Sequence, residues 1–413
     1  MSPPAPSLAE LHDEQIVALL RSGAHAALLT AYFGDLAYRE LSHLARLAAI
    51  RRDERGPTVL ILPGMMGSRL GDPQRHAAGL IWLHPAAIGE GLLSALTWTE
   101  ARRLSAVGIM LPGYLKLKLS LEVAGFRPLF HPFDWRDDVT HLGRQLLHRI
   151  EQHSQPVMLV AHSMGGLVAR AALAQDRSRR IARLIQLGSP NHGSFAPVQA
   201  LRAVYPTVRK IAALDFRHSA EELARDVFRT LPGLYQLLPT QPRDLFDADA
   251  WPDDDLRPDP TLLAQARKAR QRLAAADERC VVIAGTNQDT VVAATVSGSQ
   301  FAYSIRRDGD GTVPRASAHW PGARTWFVEE THGGLTLNTT VLAAVDDLLR
   351  SGQTDRLSQQ APGATPAGER VVTDEELRSQ AIAKVRWESL SLESRRRILE
   401  PVLTAEFLAP SSI

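Results

Sequence analysis

Ser163 is the centre of the most reactive pattern in the chain. It follows a short apolar run in PVMLVAHSMGGLVAR (residues 156–170), with Ala161 two positions before it and Gly165 two positions after it. The segment that follows has the apolar spacing of a helix. This is the strand–turn–helix pattern of a nucleophile elbow, whose tight turn needs small residues at these positions and exposes a serine hydroxyl at its tip. The pattern therefore predicts that Ser163 is a nucleophile.

A serine hydroxyl needs a base that removes its proton, and the base needs a carboxylate that orients it. In elbow hydrolases the acid and then the histidine follow the serine along the chain. His332, in EETHGGL, comes directly after a predicted strand, whereas His319 lies in a loop before that strand. In DGDGTVP, Asp310 is the favoured acid and Asp308 is the alternative. The order of these residues predicts a catalytic triad of Ser163, Asp310 and His332.

A developing oxyanion needs donors, which backbone N–H groups can supply. The N–H of Met164, the residue after the serine, is one predicted donor. The second is the N–H of Met65 in PGMMGS, the loop after the first predicted strand. We therefore predict an oxyanion hole made by Met65 and Met164.

Other motifs are interpreted as parts of the surrounding pocket. In HPFDWRDD we expect a structural corner in which Asp134 and Arg136 bond to loop backbones, with Trp135 beside the acyl pocket as a substrate-binding candidate. In GSPNHGS, His192 is interpreted as a pocket-wall or loop-bracing residue, and we do not expect it to be the base.

Composition excludes several classes of function. The chain has 413 residues, 45% of them hydrophobic and 22% charged, and a net charge of +2, which is typical of a globular protein and gives no nucleic-acid footprint. Its single cysteine, Cys280, stands in an apolar run and is predicted to be a buried strand residue. One cysteine excludes a disulfide framework, and no pattern indicates a metal site or a cofactor.

The beginning of the chain, MSPPAPSLAELHDEQ, lacks the basic and apolar regions of a secretory signal. No apolar run reaches the roughly 20 residues that a membrane span requires. We therefore expect a cytoplasmic location, with peripheral contact to a lipid surface through the cap as the one membrane role considered.

Apolar runs that predict strands alternate with helical patterns along the middle of the chain. The predicted strands are residues 58–62, 126–130, 157–160, 182–187, 280–284 and 325–329, with a hairpin over 291–305. This alternation favours an α/β fold with a mostly parallel sheet and helices on both faces. The candidate site residues follow strands, and ligands bind at the carboxyl ends of strands in such folds.

The remaining segments are predicted to be helical additions to this core. Residues 1–55 form an N-terminal extension, with one helix capped by Ser7 and Glu10 and ending at Leu20, and a second over 25–52. Residues 56–350 form the catalytic domain, interrupted by cap insertions at 69–125 and 195–276. Residues 351–413 hold a polar linker, a helix over 373–387 capped by Thr373, and a short helix ending near Phe407.

The motifs LPGMMGS, IWLHP, FDWR, AHSMGG, SPNHGS and DGDGTVP occur in this order. With these motifs in this order, residues 57–348 resemble the lecithin:cholesterol acyltransferase-like group of α/β hydrolases. That group includes phospholipases and phospholipid:diacylglycerol acyltransferases. The resemblance implies Ser163 as the residue that accepts the acyl group. It also implies a lid at IWLHP over an acyl-binding cleft, which makes Trp82 a substrate-binding candidate. A lid pinned by a disulfide, as in the animal members, is impossible here, and the small residues around Ser163 are similar to those of bacterial lipases.

These observations predict a serine-dependent carboxylic ester hydrolase of the lipase or esterase kind, acting on an ester or lipid. The alternative within enzymes is an O-acyltransferase that moves a fatty acyl group from a lipid to an alcohol. The alternative of another class is a non-catalytic lipid- or protein-binding module on a hydrolase fold.

Overall fold

The computed structural model describes residues 11–391 except 52, 54, 75–78, 100–103, 364–367 and 381–382, and it also describes residue 394. Its strands are, in chain order, β1 (Thr58–Leu62), β2 (Ser68–Gly71), β3 (Leu80–Trp82), β4 (Ser105–Ile109), β5 (Arg127–Phe130), β6 (Val157–His162), β7 (Ile181–Leu187), β8 (Cys280–Gly285), β9 (Asp289–Ser297), β10 (Gln300–Arg307), β11 (Arg324–Val328) and β12 (Arg370–Thr373). Its α-helices are α1 (Asp13–Ser22), α2 (Ala26–Phe33), α3 (Asp35–Arg51), α4 (Pro85–Gly89), α5 (Leu111–Val123), α6 (Val139–Glu151), α7 (Met164–Leu173), α8 (Ala196–Leu201), α9 (Pro206–Leu214), α10 (Ala220–Asp226), α11 (Pro232–Tyr235), α12 (Pro260–Gln271), α13 (Arg315–Ala318), α14 (Thr339–Ser351) and α15 (Asp374–Ser379).

A six-stranded sheet in the order β11–β8–β7–β6–β1–β5 forms the centre of the molecule, and every pairing within it is parallel. β1, with the sequence TVLIL, is apolar and fully buried from Val59 to Leu62, as expected for a strand covered on both faces. The predictions of an α/β fold, of a mostly parallel sheet and of these strands are confirmed, with ends that differ by at most two residues.

Alternate residues of the strands supply two separate hydrophobic clusters. Leu60 and Leu159 belong to one cluster together with buried residues of α6 and α7. Ile61 and Val160 belong to the other, together with buried residues of α1, α3, α5 and α14. Because successive side chains of a strand point to opposite faces, the sheet is covered by helices on both sides, as predicted.

The N-terminal helices differ from the prediction in one respect. The predicted continuous helix over 25–52 is wrong: Gly34, with φ 85°, ends α2, and α3 begins at Asp35. The predicted capping pair of Ser7 and Glu10 lies outside the described residues. Among those residues no single helix is both long and apolar enough to span a membrane, although α1 and α2 together, bent by 119°, meet the length and composition criteria.

The expectation of a helical lid over residues 69–125 is wrong for part of this insertion. β2, β3 and β4 form an antiparallel sheet there, in the order β3–β2–β4. These strands have three to five residues each, too few to show a period of two in the sequence. At the end of the segment, α5 packs on α3 and β5 with its buried side chains in the core.

Residues 195–276, called the cap segment below, contain α8 to α12 in agreement with the helix-rich prediction. Arg202, at the end of α8, is fully buried and binds Asp254 of the same segment with both terminal nitrogens, each at 2.7 Å. Its Nε donates to Asp374, the first residue of α15, at 2.9 Å. Asp374 also accepts hydrogen bonds from the Phe301 N–H and the Tyr303 hydroxyl of β10, so α15 ties the cap segment to the β9–β10 hairpin.

The C-terminal part was predicted incompletely. Thr373 and Glu376 form the predicted capping box, but α15 ends at Ser379, and the predicted continuous helix to Trp387 is wrong. Residues 370–372, to which the sequence assigned no element, and the cap residue Thr373 form β12 and pair with β10. The short helix predicted to end near Phe407 lies outside the described residues.

Candidate active site

Ser163 lies at the turn between β6 and α7, as an elbow requires. Its backbone has φ 53° and ψ −124°, which a residue with a side chain adopts only at a cost in energy, and its N–H donates to Leu187 O at 2.9 Å. Gly165 allows this turn, because a Cβ there would lie 2.5 Å from Pro63 O. The close crossing of β1 by α7 therefore explains the small residue after the serine.

Asp310 and His332 form a buried pair. The Nδ1 of His332 lies 2.7 Å from Asp310 Oδ2, and the His332 N–H donates to Asp310 O at 2.8 Å. The other carboxylate oxygen, Oδ1, accepts the N–H groups of Thr312 and Val313 at 3.0 and 2.7 Å. With its Nδ1–H donated to the carboxylate, a neutral His332 keeps the lone pair of Nε2 free to accept a proton.

Asp308 occupies a different environment from Asp310. Its carboxylate accepts a hydrogen bond from Arg315 Nε at 2.6 Å. The structure therefore pairs His332 with the favoured acid of the sequence prediction and engages the alternative in an ion pair.

Glycines surround the Asp310–His332 pair where a side chain would collide with it. A Cβ on Gly188, which has φ +57°, would lie 2.9 Å from Asp310 Oδ2 and 3.1 Å from His332 Nδ1. A Cβ on Gly285 would lie 2.6 Å from the Cβ of Asp310. Sequence reasoning missed both positions, although each glycine directly follows or ends a predicted strand.

Ser163 and His332 line one pocket, whose volume is about 70 Å³. Within the described residues no hydrogen bond joins the Ser163 hydroxyl to His332. Such contacts often tighten only when a substrate binds.

The predicted oxyanion donors lie beside this serine. Met65, in the β1 loop (residues 63–67), lines the pocket with Ser163, and a Cβ on the neighbouring Gly64 would lie 2.9 Å from Ser163 Cβ. Met164 is the first residue of α7, where N–H groups have no acceptor within the helix. Both positions are compatible with donors to an oxyanion, and that role stays a prediction.

The rest of the pocket is mostly apolar. The core side contributes Met65, Met66, Trp135, Ser163, Pro190, Ser194, Thr312, Val313 and His332, and the cap segment contributes Ala196, Pro197, Ala200, Tyr205, Val208, Phe228, Leu231, Leu234 and Leu237. Among these cap residues Tyr205 alone has a polar side-chain atom. Burial raises the pKa of its hydroxyl, against a smaller opposite effect of the neighbouring Thr312 and Thr207 side chains.

The three substrate-binding candidates are placed differently. Trp135 lines the pocket, and its contact with a substrate stays a prediction. Trp82 is buried one layer behind it, with ring centroids 5.4 Å apart, and donates to Met66 O at 2.9 Å. The side chain of His192 is exposed and outside the pocket lining, while its N–H donates to Ser317 O at 2.9 Å. For Trp82 and His192 the structure thus shows supporting contacts and no place in the pocket wall.

The corner at residues 133–138 has the structural role that the sequence predicted. Arg136 binds the Asp134 carboxylate through Nε and Nη2 at 2.9 and 2.7 Å, and donates to Leu96 O at 3.1 Å. The indole N–H of Trp135 donates to Ser68 O at 3.1 Å. These bonds orient the Trp135 ring toward the pocket.

Cys280 is buried, as predicted, and burial raises the pKa of its thiol to about 12. Such a thiol is protonated at neutral pH and is a poor nucleophile. Among the described residues, no group of three or more His, Cys, Asp or Glu side chains is arranged to hold a metal ion.

Comparison with known proteins yields one family match and several distant structural likenesses. The family model of the PGAP1-like alpha/beta domain matches residues 135–233, the stretch that contains the elbow. No curated protein sequence matches the chain. The match is to this domain, and the motif resemblance to the lecithin:cholesterol acyltransferase-like group stays a prediction.

Among solved structures, the mature lipase BlEst2 of Bacillus licheniformis is 15% identical, with 72% of this chain and 93% of that chain covered and a TM-score of 0.36. The phospholipase PlaB of Legionella pneumophila is 12% identical, with 72% of this chain and 57% of that chain covered and a TM-score of 0.35. Likenesses this distant assign no substrate. The parallel sheet and the elbow give the chain an α/β-hydrolase fold, and residues 135–233 are similar to the PGAP1-like α/β domain.

Proposed function

We propose that the protein is a serine-dependent carboxylic ester hydrolase of the lipase or esterase kind. One observation carries this proposal: a serine with an elbow backbone and a histidine paired to a buried carboxylate line the same apolar pocket. In a non-catalytic module, nothing would require the strained backbone conformation of Ser163 together with the Asp310–His332 pair.

In the first half of the reaction, the Ser163 Oγ attacks the ester carbonyl carbon while His332 Nε2 takes the hydroxyl proton. The carbonyl oxygen becomes an oxyanion, which accepts hydrogen bonds from the N–H groups of Met65 and Met164. Asp310 keeps the imidazole in the required tautomer and stabilises its protonated form. The intermediate then collapses: the bond between the carbonyl carbon and the alkoxy oxygen breaks, the alkoxy group takes the proton from His332 and leaves as an alcohol, and the acyl group stays on Ser163.

In the second half, a water molecule attacks the acyl-enzyme while His332 Nε2 takes one of its protons. Collapse of this second intermediate returns the proton to the Ser163 oxygen and releases a carboxylic acid. Transfer to an alcohol differs only in the attacking hydroxyl. We propose an ester with an apolar acyl group as the substrate, because aliphatic and aromatic side chains make up most of the lining.

The test is hydrolysis of p-nitrophenyl esters by the purified protein and by Ser163→Ala. We expect release of p-nitrophenol by the wild type and a loss of at least about 10⁴-fold in the variant, because residues of such a triad act as a unit. Ser189→Ala is the matched control. Ser189 lies in the loop after β7, is buried, and its Oγ has no hydrogen-bond partner in the described structure.

Equal rates for Ser163→Ala and the wild type would refute the proposal, as would a comparable loss in Ser189→Ala. A long-chain alcohol added to the same assay separates the two outcomes of the second step: ester products would indicate acyl transfer, and free acid alone indicates hydrolysis.

A further inference from the structure

We propose that Tyr114 and His162 are positioning residues that lock the β1 loop to the loop carrying His332 (residues 329–333, the His332 loop). This inference rests on the proposed function, in which these loops supply an oxyanion donor and the base. Neither residue lines the pocket, and both are buried.

A continuous chain of hydrogen bonds joins the two loops. The Gly64 N–H of the β1 loop donates to the Tyr114 hydroxyl of α5 at 2.8 Å. The Tyr114 hydroxyl lies 2.9 Å from His162 Nδ1, at the end of β6. His162 Nε2 lies 3.0 Å from the backbone oxygen of His332. Two side chains thus bridge loops that are far apart in the sequence.

The chemistry of these groups allows one arrangement of protons. A carbonyl oxygen can only accept, so the proton of a neutral His162 is on Nε2 and is donated to His332 O. Nδ1 then has a lone pair and accepts the Tyr114 O–H, while the Tyr114 oxygen accepts the Gly64 N–H. Burial lowers the pKa of His162 to about 3 and raises that of Tyr114, so both groups stay neutral at neutral pH.

This chain completes the restraints on His332. Its N–H and its Nδ1 are bonded to Asp310, and its carbonyl oxygen is bonded to His162, which leaves Nε2 for the reaction. At the other end, the bond to Gly64 restrains the residue next to Met65. Movement of either loop would strain the same bonds, so Tyr114 and His162 keep the base and the predicted oxyanion donor in register.

The first test is Tyr114→Phe, which removes one hydroxyl and keeps the ring. We expect kcat for a p-nitrophenyl ester to fall roughly tenfold while KM changes less than about twofold, because the loss concerns alignment in the transition state. Tyr235→Phe is the matched control: its buried hydroxyl also accepts one backbone N–H, from Asp259, and donates to one acceptor, Arg229 O. An equal fall of kcat in both variants would reduce the effect to lost stability and overturn the proposal.

A double-mutant cycle tests the coupling. His162→Gln places an amide N–H where Nε2 was and removes the acceptor for Tyr114. In this background Tyr114→Phe is expected to cost clearly less than in the wild type, since contacting members of one network are not additive. Additive losses would show that the two residues act separately and would contradict the proposal.

A third readout does not need activity. In protein labelled with ¹⁵N at histidine, NMR is expected to find the His162 proton on Nε2, and Tyr114→Phe, unlike Tyr235→Phe, is expected to shift the ring signals of His332. A proton on Nδ1, or unchanged His332 signals, would contradict the proposed chain of hydrogen bonds even in an active enzyme. If both NMR results are found but the wild type hydrolyses no ester, the chain of hydrogen bonds is confirmed as a structural link and the proposed function is refuted.

Discussion

The two sides of the pocket are built by opposite principles. The core side carries the reacting polar groups and is crowded: Asp310 alone accepts three hydrogen bonds at its carboxylate, and glycines stand where any Cβ would collide with the reacting groups. The cap segment offers aliphatic and aromatic side chains, with Tyr205 as its one polar contribution among the described lining residues. Dense hydrogen bonding specifies positions to a fraction of an ångström, whereas apolar contact specifies mainly size. We infer that the core side determines the reaction and the cap segment the substrate.

The strongest way to break this comparison is a substitution of the acid. Asp310→Asn keeps the size of the side chain but cannot hold His332 in the required tautomer, and we expect kcat to fall by about 10⁴-fold, as for such acids in general. Asp308→Asn is the matched control and should change kcat only a few-fold, since its partner is Arg315. The rates of p-nitrophenyl ester hydrolysis decide between them, and the reverse ranking would assign the acid to Asp308.

Crowding around the base is tested by Gly188→Ala. The added Cβ would press on both Asp310 and His332, and we expect kcat to fall by about 100-fold, equivalent to roughly 2.7 kcal/mol of transition-state stabilisation. Gly298→Ala is the control, because Gly298 has φ +61° with nothing within 4 Å of the added Cβ. Both variants bear the cost of a left-handed backbone, about 1–2 kcal/mol of stability, but only the first should lose activity.

The region around the central sheet should also make the fold sensitive to acid. His131, at the end of β5, is buried against Arg149, and its pKa is lowered from 6.5 to about 3. Because the folded form resists protonation while the unfolded chain takes up a proton, stability is complete above pH 6.5 and falls as the pH drops toward 3. From pH 7 to 5 this group should cost about 2 kcal/mol of unfolding free energy.

Urea unfolding at pH 7 and pH 5 measures this difference. In His131→Gln the pH dependence should shrink by about that amount, whereas His148→Gln, at an exposed position of α6, should leave it unchanged. If the change in unfolding free energy between pH 7 and pH 5 is the same in His131→Gln as in the wild type, another group causes the acid sensitivity.

The smallest expected effect concerns the cap segment. Val208→Phe adds volume to the pocket wall on α9 and should reduce kcat/KM for long-chain p-nitrophenyl esters about tenfold relative to the acetate, a typical size for discrimination by apolar contact. The kcat for the acetate should be nearly unchanged. If kcat/KM falls equally for both esters, the inference that the cap segment selects the substrate without affecting the reaction is wrong.

The sequence predicted the core side far better than the cap segment, for a physical reason. A parallel strand buried on both faces is a continuous apolar run, and an elbow needs small residues at set positions, so β1, β6 and Ser163 leave strong local signals. Asp310 could be placed because it lies in a turn after the predicted hairpin, and His332 because it follows the last strand of the parallel sheet. The choice of Asp310 over Asp308 agrees with the hydrogen bond to His332, while the catalytic role of these residues stays a proposal.

What the sequence did not predict depends on contacts between distant segments. The short strands β2, β3 and β4 carry too few residues for a period, and their pairing joins residues far apart in the chain. Tyr114 lies in the predicted cap insertion over 69–125 and was not singled out by any motif, and only its contact with His162 gives it a role. The pocket wall likewise gathers residues from several short helices whose arrangement no local pattern indicates.

The bond between Arg202 and Asp374 has a consequence for how the protein is made. Chains leave the ribosome from the N-terminus, and Asp374 is synthesised 172 residues after Arg202. Until it emerges, the guanidinium has Asp254 as its carboxylate partner and lacks the second one that it has in the finished fold. The cap segment therefore completes its ion pairs only after the strands that precede Ser163 and His332 have been translated.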